Sequence, residues 1–426
     1  MHSERTAVRG RSSEHQWWGV LCKCEAEMTT TTIAVVGGVY REQCIWPDWD
    51  HVYGSAGRAA VALVGHVDEI TLHAYLSPEL ESKFGFAAKH YGITLDSTSV
   101  SEGISFSYVH CMSTPVISPP VSRIQSHLPI AVQADVVLRF GMLEGSGKVN
   151  AKWCVYDPQS AFGPELFGTN ESSAEHLAIV ANRGEVLAMT GETDPKVAAN
   201  KLLARGAEVV VVKSGPAGAY VYTADGDVGH VPAYQSKGVW TIGSGDVFAA
   251  IFTARWAVHG DTPSQAAQVA SRAVSLYAET MSLPSPSAET LLAAQSKPAS
   301  TVNGRVYLAS PFFTIGQRWL VDEIRRCLTE LGLEVLSPVH DIGPGPASVV
   351  GPADLEALDD CDRVFAIVDG LDAGTIFEVG YARAKGKPVY VLAQAVGEED
   401  LKMVEGSGSH IFFDFVTALH YTAWKV

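Results

Sequence analysis

The residues from Asp369 to Val389, DGLDAGTIFEVGYARAKGKPV, carry the densest chemical signal in the chain. They set one carboxylate, Glu378, just after a glycine-containing turn (Ala373, Gly374, Thr375), where a small-residue helix begins and runs toward a strand over Pro388–Leu392. The preceding run, DLEALDDCDRVFAIVD, reads as an acid-rich helix followed by an apolar strand. A carboxylate in the first turn of a helix, above the end of a buried strand, is where an open α/β sheet presents chemistry. A second carboxylate brought nearby would complete the pair that N-glycosidic bond chemistry needs.

A second constellation lies at WTIGSGDVFAAIF, Trp240 to Phe252. Glycines on either side of Ser244 let backbone N–H groups converge at a helix start and form an anion hole. Asp246, in the first turn, is placed to take a proton from an attacking hydroxyl while that hole holds developing phosphate charge. Two strand ends accompany it: ANRGE (Ala181–Glu185), with the spacing Asn182-x-x-Glu185, and VKSGPAGA (Val212–Ala219).

These motifs need strands that stop near one another. From Thr31 the pattern alternates strand and helix: strands at 32–38, 70–76, 136–140, 153–156, 178–181 and 208–212, and helices at 54–64, 78–91, 195–205, from Ser244, and 263–279. The run Leu283–Gly304 is rich in Pro, Ser and Ala, and βα alternation restarts at Arg305. Strands are expected at 305–309, 334–336, 364–368 and 389–392, with helices at 318–331, 354–360 and 412–424. Such alternation implies parallel sheets covered by helices on both faces. The expected division is an extension over residues 1–28, a first domain over 29–295, a linker over 296–303 and a second domain over 304–426.

At 426 residues two or three domains are expected. A net charge of −16 argues against sequence-independent nucleic-acid binding, which needs basic surface. No apolar run reaches the ~20 residues of a membrane span. Seven dispersed cysteines, including Cys22 and Cys24, fit reduced thiols in a cytoplasm.

The second constellation with its two strand ends, over roughly Thr31–Ala294, resembles the ribokinase-like (PfkB) carbohydrate and nucleoside kinases. The resemblance implies an anion hole at Gly243, Ser244 and Gly245 and a catalytic Asp246. It also implies Mg²⁺ and phosphate organised by Asn182 and Glu185, and nucleotide flanked by Ser214 and Gly215, with ATP and Mg²⁺ as cofactors. Trp240-Thr241 stands where that family usually has Asp-Thr, and GSAGRAA lacks the family's Asn. The short, Trp-rich segment between Gly38 and Gly54 predicts a reduced or absent substrate lid.

The runs VYLASPFF (Val306–Phe313), SPVHDIG (Ser337–Gly343), DLEALDDCD (Asp354–Asp362) and DGLDAGTIFEVGYA together resemble nucleoside 2-deoxyribosyltransferases and related N-glycosidases. The resemblance implies a flavodoxin-like or Rossmann-like fold without cofactor. Glu378 is then the nucleophile, Asp354 the acid/base, and Tyr307 the group that orients the nucleophile. Asp372, with Gly374 beside it, contacts the sugar, and His340 and Asp341 contact the base. Glu378 is expected ionised and Asp354 protonated. Asp359, Asp360 and Asp362 read as a solvated helix end, and Phe377 and Tyr381 as packing residues. The expected partners are small nucleosides, nucleobases or sugars and a second copy of the chain through the C-terminal domain, with His410 able to reach a neighbouring site. Two function classes compete: a fused deoxyribosyltransferase or hydrolase with a kinase, and a sensing protein in which a degenerate kinase fold regulates one glycosidic site.

Overall fold

The computed structural model describes residues 30–226 and 228–424. The expected extension over residues 1–28, with Cys22 and Cys24, lies outside the described residues. Three sheets organise the rest. The largest has nine strands in the spatial order Val228–Val231, Ala219–Thr223, Val209–Lys213, Ser173–Asn182, Gly147–Asp157, Ile130–Phe140, Thr32–Val36, Glu69–Leu76 and Thr94–Ser99. The seven strands from Val209–Lys213 to Thr94–Ser99 pair parallel, and Ala219–Thr223 runs antiparallel to both its neighbours, Val209–Lys213 and Val228–Val231. The continuous β-branched run Val209–Val212 is wholly buried, as a strand covered on both faces must be. Each such valine contributes about 1.5–3 kcal/mol by leaving water.

Helices cover this sheet for a legible reason. In Gly54–Ala62 all nine residues are buried, because only small side chains and one special arginine let the helix sit between the sheet and the Ser244–Thr253 helix. The Pro78–Tyr91 helix starts where expected, with Ser77 capping, Pro78 in the first turn and Gly92 in the left-handed conformation at its end.

The short segment between Gly38 and Gly54, where a reduced or absent lid was expected, forms two strands that join others from 105–118. Trp49–Val52, Arg41–Trp46, Ser105–His110 and Val116–Ser118 form a separate four-stranded sheet. Its strands mix exposed and part-buried residues, so they lack the apolar signature of the central sheet.

The C-terminal sheet has five parallel strands in the order Glu334–Leu336, Arg305–Ala309, Arg363–Ile367, Val389–Leu392 and His410–Phe412. In chain order this is 2-1-3-4-5, the flavodoxin-like arrangement, whose switch point lies between the first and third strands. The helix expected over 354–360 runs over Ala347–Asp359, continuing through Pro352. The one expected over 412–424 is a short strand, His410–Phe412, followed by the helix Phe415–Ala423. Segment 296–303 is pinned on both sides, by Gln235 N–H to Lys297 O at 2.9 Å and Val302 N–H to Ala423 O at 3.0 Å. The five described cysteines are free and buried. Among the described residues no helix is long and apolar enough to cross a membrane.

Candidate functional site

At the C-terminal switch point Tyr307, Glu378 and Asp354 lie close together, and the Asp372 charge also reaches Glu378. Tyr307 sits on the strand Arg305–Ala309 with no exposed surface. Its hydroxyl donates to Glu378 Oε1 at 2.6 Å from 71 residues away. Glu378 lies on the helix Ala373–Ala384, which follows the adjacent strand Arg363–Ile367. Asp354, on Ala347–Asp359, is near enough for its charge to act on both Glu378 and Tyr307. Asp354 Oδ1 is buried and has no hydrogen-bond partner, so one acid atom is held out of water with nothing to bind.

Glu378 falls in the second turn of its helix, because Asp372 caps it and sets the start at Ala373. The helix dipole fades within the first turn, so burial decides. Burial pushes the Glu378 carboxyl up to about 7, the Tyr307 hydrogen bond opposes this, and the charges of Asp354 and Asp372 push further up. Burial also raises Asp354. The Tyr307 hydroxyl is raised by burial first and then by Glu378, so it stays a donor.

Asp372 is committed locally: its Oδ2 accepts from Thr375 N–H at 2.8 Å and Thr375 Oγ1 at 3.0 Å. Gly374 keeps that cap open, since a Cβ there would stand 3.1 Å from Asp372 Oδ2. Asp341 Oδ2 accepts from Ser337 N–H at 2.8 Å, and His340 bonds Ser337 Oγ at 3.1 Å and Asp322 Oδ1 at 2.8 Å. Both therefore have structural partners in the turn after Glu334–Leu336. Asp359 pairs with Lys385 at 2.9 Å. Phe377, expected to pack, is 61% exposed, while Tyr381 bonds Asp359 Oδ2 at 3.0 Å. His410 stacks on Tyr390 with ring centroids 5.3 Å apart.

In the N-terminal part the glycine turn separates two cavities. Gly243 has φ +77° and precedes the Ser244–Thr253 helix, and a Cβ on it would meet Arg58 Nε at 2.1 Å, so glycine is required for both reasons. On one side lies a cavity of 360 Å³ lined by Tyr40, Glu42, Arg58, Tyr108, Gln159 and Asp246. On the other lies a cavity of 150 Å³ bordered by Lys213, Gly215, Ser244 and Gly245. Asp246 is in the first helical turn, as expected. Both its oxygens are engaged: Arg58 Nη1 donates to Oδ2 at 2.7 Å and Gln159 Nε2 to Oδ1 at 2.7 Å. Arg58 also pairs with Glu42 and donates to Tyr277 OH at 3.0 Å, a buried network of one cation and two carboxylates.

Asn182 and Glu185 form a reciprocal capping box: Asn182 Oδ1 accepts from Glu185 N–H at 2.9 Å, and Glu185 Oε2 from Asn182 N–H at 2.6 Å. Their spacing is thus explained by helix Arg183–Thr190, although the Glu185 charge still acts on Lys213 and Asp157. Ser214 Oγ accepts from Arg183 Nε at 3.2 Å. Reading the motifs alone missed Arg58, Gln159 and the pair Lys213–Asp157, joined at 2.6 Å beside Gly245. Asp157 ends a strand fully buried, its Oδ1 has no partner, and burial pushes it up to about 7 against the pull of Lys213. The run YDPQS after a strand was the available signal. One His/Glu/Cys group, His110–Glu323–Cys327, lies within 4.8 Å, but Arg326 Nη2 already bonds Glu323 at 2.5 Å and Cys327 at 3.2 Å. It is an ion-paired contact between the two parts.

Two known protein families match separate stretches of the chain. The pattern of pfkB family carbohydrate kinases matches residues 170–290, and that of nucleoside 2-deoxyribosyltransferases matches residues 306–409. The chain thus carries a match to the pfkB pattern followed by a match to the nucleoside 2-deoxyribosyltransferase pattern. The kinase-like part is similar to 5-dehydro-2-deoxygluconokinases of Bacillus licheniformis (30% identity over 102 residues) and Bacillus subtilis (27% over 103), each alignment covering 21% of this chain. The chain spans 31% of the length of those relatives. Its fold is similar to a ribokinase of Arabidopsis thaliana solved with ribose and ATP, with TM-score 0.51, 16% identity, and coverage of 62% of this chain and 100% of that one.

Proposed function

We propose that the transferase-like part breaks the N-glycosidic bond of a deoxynucleoside by double displacement on Glu378. The observation that carries this reading is the 2.6 Å Tyr307–Glu378 hydrogen bond at the sheet's switch point, with a second acid, Asp354, beside it. Tyr307 holds Oε1, which leaves Oε2 to attack the anomeric carbon. The C–N bond breaks as the C–O bond forms, and Asp354 delivers a proton to the departing base. Water or a second base then attacks the glycosyl–Glu378 ester, Asp354 takes the proton back, and configuration is retained. The missing 2′-hydroxyl helps, because a deoxyribosyl oxocarbenium forms more readily than a ribosyl one. The Asp372 charge near Glu378 disfavours a phosphate there, so a nucleoside is preferred over its 5′-monophosphate.

For the kinase-like part, the division falls near residues 296–303, and the glycine turn with Lys213 suits a phosphate donor such as Mg·ATP. Glu185, whose charge reaches Lys213 and Asp157, would help hold the metal. Bound metal would offset phosphate charge, while the chain's own turn and lysine position the anion. A second reading, in which this fold binds ligand without transferring phosphate, is favoured by one observation: both Asp246 oxygens are taken by Arg58 and Gln159. Chromatography of a deoxynucleoside with a second free base, with and without Mg·ATP, tests both. Base exchange or release that Glu378→Ala eliminates supports the glycosidic reading, and undiminished turnover in that variant removes it. Phosphorylated product supports the kinase reading, and its absence across a sugar and nucleoside panel supports the sensor.

A further inference from the structure

The strand Ile130–Phe140 carries a second buried arginine, Arg139, whose surroundings differ from those of Arg58. Arg58 is paired with both Glu42 and Asp246. Arg139 is 2% exposed, yet among the described residues no carboxylate hydrogen-bonds or ion-pairs with it. Its Nη1 donates to Phe167 O at 3.0 Å, Ser172 Oγ at 3.1 Å and Asn170 Oδ1 at 3.4 Å, all neutral acceptors. Its Nε is buried without a partner, and among the described residues no hydrogen bond engages Nη2. A buried arginine is ordinarily paired with an acid, so one charge here lacks a counterion.

The unengaged edge has a shape. Nε–H and Nη2–H lie side by side and form the fork that meets two oxygens of one anion. The ring centroids of Tyr156 and Phe167 lie 4.6 and 5.5 Å from Arg139 Cζ and, with the Nη1 bonds, hold the guanidinium in place. Arg139 lines a cavity of 490 Å³, and Ser126, Ser146 and Ser160 add hydroxyls to the same wall. A carboxylate is satisfied by the fork alone, whereas a phosphate keeps further oxygens for such donors. Among the described residues Glu165 is the one carboxylate in that wall, and it is exposed. The cavity adjoins the 360 Å³ cavity at Asp246, with Gly141, Leu143, Gln159 and Ser160 in the walls of both.

We propose that the 490 Å³ cavity is a phosphate-binding site in which the Nε–Nη2 edge of Arg139 grips the anion. Its place beside Asp246 gives that phosphate two sources: the far end of a phosphorylated molecule whose hydroxyl faces Asp246, or free phosphate acting as an effector. The site is separate from the Gly243–Gly245 turn and stands whether or not the kinase-like part transfers phosphate.

Calorimetry of inorganic phosphate with the full chain tests this in the wild type, Arg139→Met and Lys213→Met. Methionine adapts to the space between the two rings and removes a buried charge, so Arg139→Met should fold. It should weaken phosphate binding at least about tenfold, the loss expected for hydrogen bonds to a charged group. Lys213→Met, which alters the glycine turn, should retain that binding. Affinity unchanged by Arg139→Met, or no phosphate binding to the wild type, overturns the proposal. Loss confined to Lys213→Met also overturns it, by assigning the anion to the glycine turn. Should Arg139→Met not fold, Ser126→Glu sets a like charge at an exposed point of the cavity wall. It should weaken phosphate binding about three- to tenfold, more at low salt, and an unchanged affinity there overturns the site equally. Ribose 5-phosphate beside inorganic phosphate separates the two sources, and either result upholds the site. Tighter binding of the ester, lost in Arg139→Met, marks the tail of a larger molecule, and an ester no tighter than phosphate marks a free anion.

Discussion

Glu378→Gln is a stability experiment before it is a kinetic one. The Glu378 carboxyl is pushed up to about 7, chiefly by burial, from an ordinary value of 4.5. At about 1.4 kcal/mol per pH unit, ionising it in the folded protein costs about 3 kcal/mol more than in the unfolded chain. The sign follows. Because the folded value is raised, its stabilising contribution is complete below about pH 4.5 and is lost as pH rises through about 7. Glutamine keeps the carbonyl that accepts from Tyr307 and never ionises. The variant should therefore melt at about the wild-type temperature near pH 5 and above it at pH 8.5, the gap opening between those values and approaching about 3 kcal/mol. Thermal melts of both proteins from pH 5 to 9 measure it. A gap that is constant with pH, or that opens in the wild type's favour, would refute the claim that burial rather than the helix dipole governs this carboxylate.

Two other perturbations probe each part. Tyr307→Phe removes the 2.6 Å hydrogen bond to Glu378, so the acid limb of the kcat/KM profile should move to higher pH and turnover should fall about 10- to 150-fold, the worth of a hydrogen bond to a charged group; an unmoved limb in steady-state pH profiles would contradict the assignment. Arg58→Met leaves Glu42 and Asp246 buried without their cation and should cost about 3–5 kcal/mol in denaturant melts, whereas a loss under 1 kcal/mol would mean the network is far wetter than its burial indicates.

What the sequence disclosed follows from the range over which each signal acts. Val209–Val212 announces a buried strand because four consecutive β-branched residues suit nothing else so well. Glu378 announces itself because an acid stands in a small-residue stretch directly after a strand and turn. The four-stranded sheet escaped notice because its buried positions are not strongly apolar: Arg41–Trp46 buries Glu42 and Cys44, and Ser105–His110 buries His110. Asn182 and Glu185 were read as phosphate and metal groups, yet the same spacing is what a capping box needs, and local hydrogen bonds claim it first. The partners of Asp246 lie 188 and 87 residues away, so no window of sequence could reveal that Arg58 and Gln159 hold it. That His420 and Trp424 line the 150 Å³ cavity is likewise a product of long-range docking of the C-terminal helix, and their local pattern signals only a packed helix.

The central claim is a covalent bond between an anomeric carbon and the Glu378 carboxylate. Rapid quenching of the full chain with a slow 2-deoxy-2-fluoro nucleoside, followed by peptide mass spectrometry, observes it directly. The account predicts release of one equivalent of base and a glycosyl mass on the peptide carrying Glu378, absent in Glu378→Gln. Base release with that peptide unmodified, or with the sugar on another side chain, would contradict it.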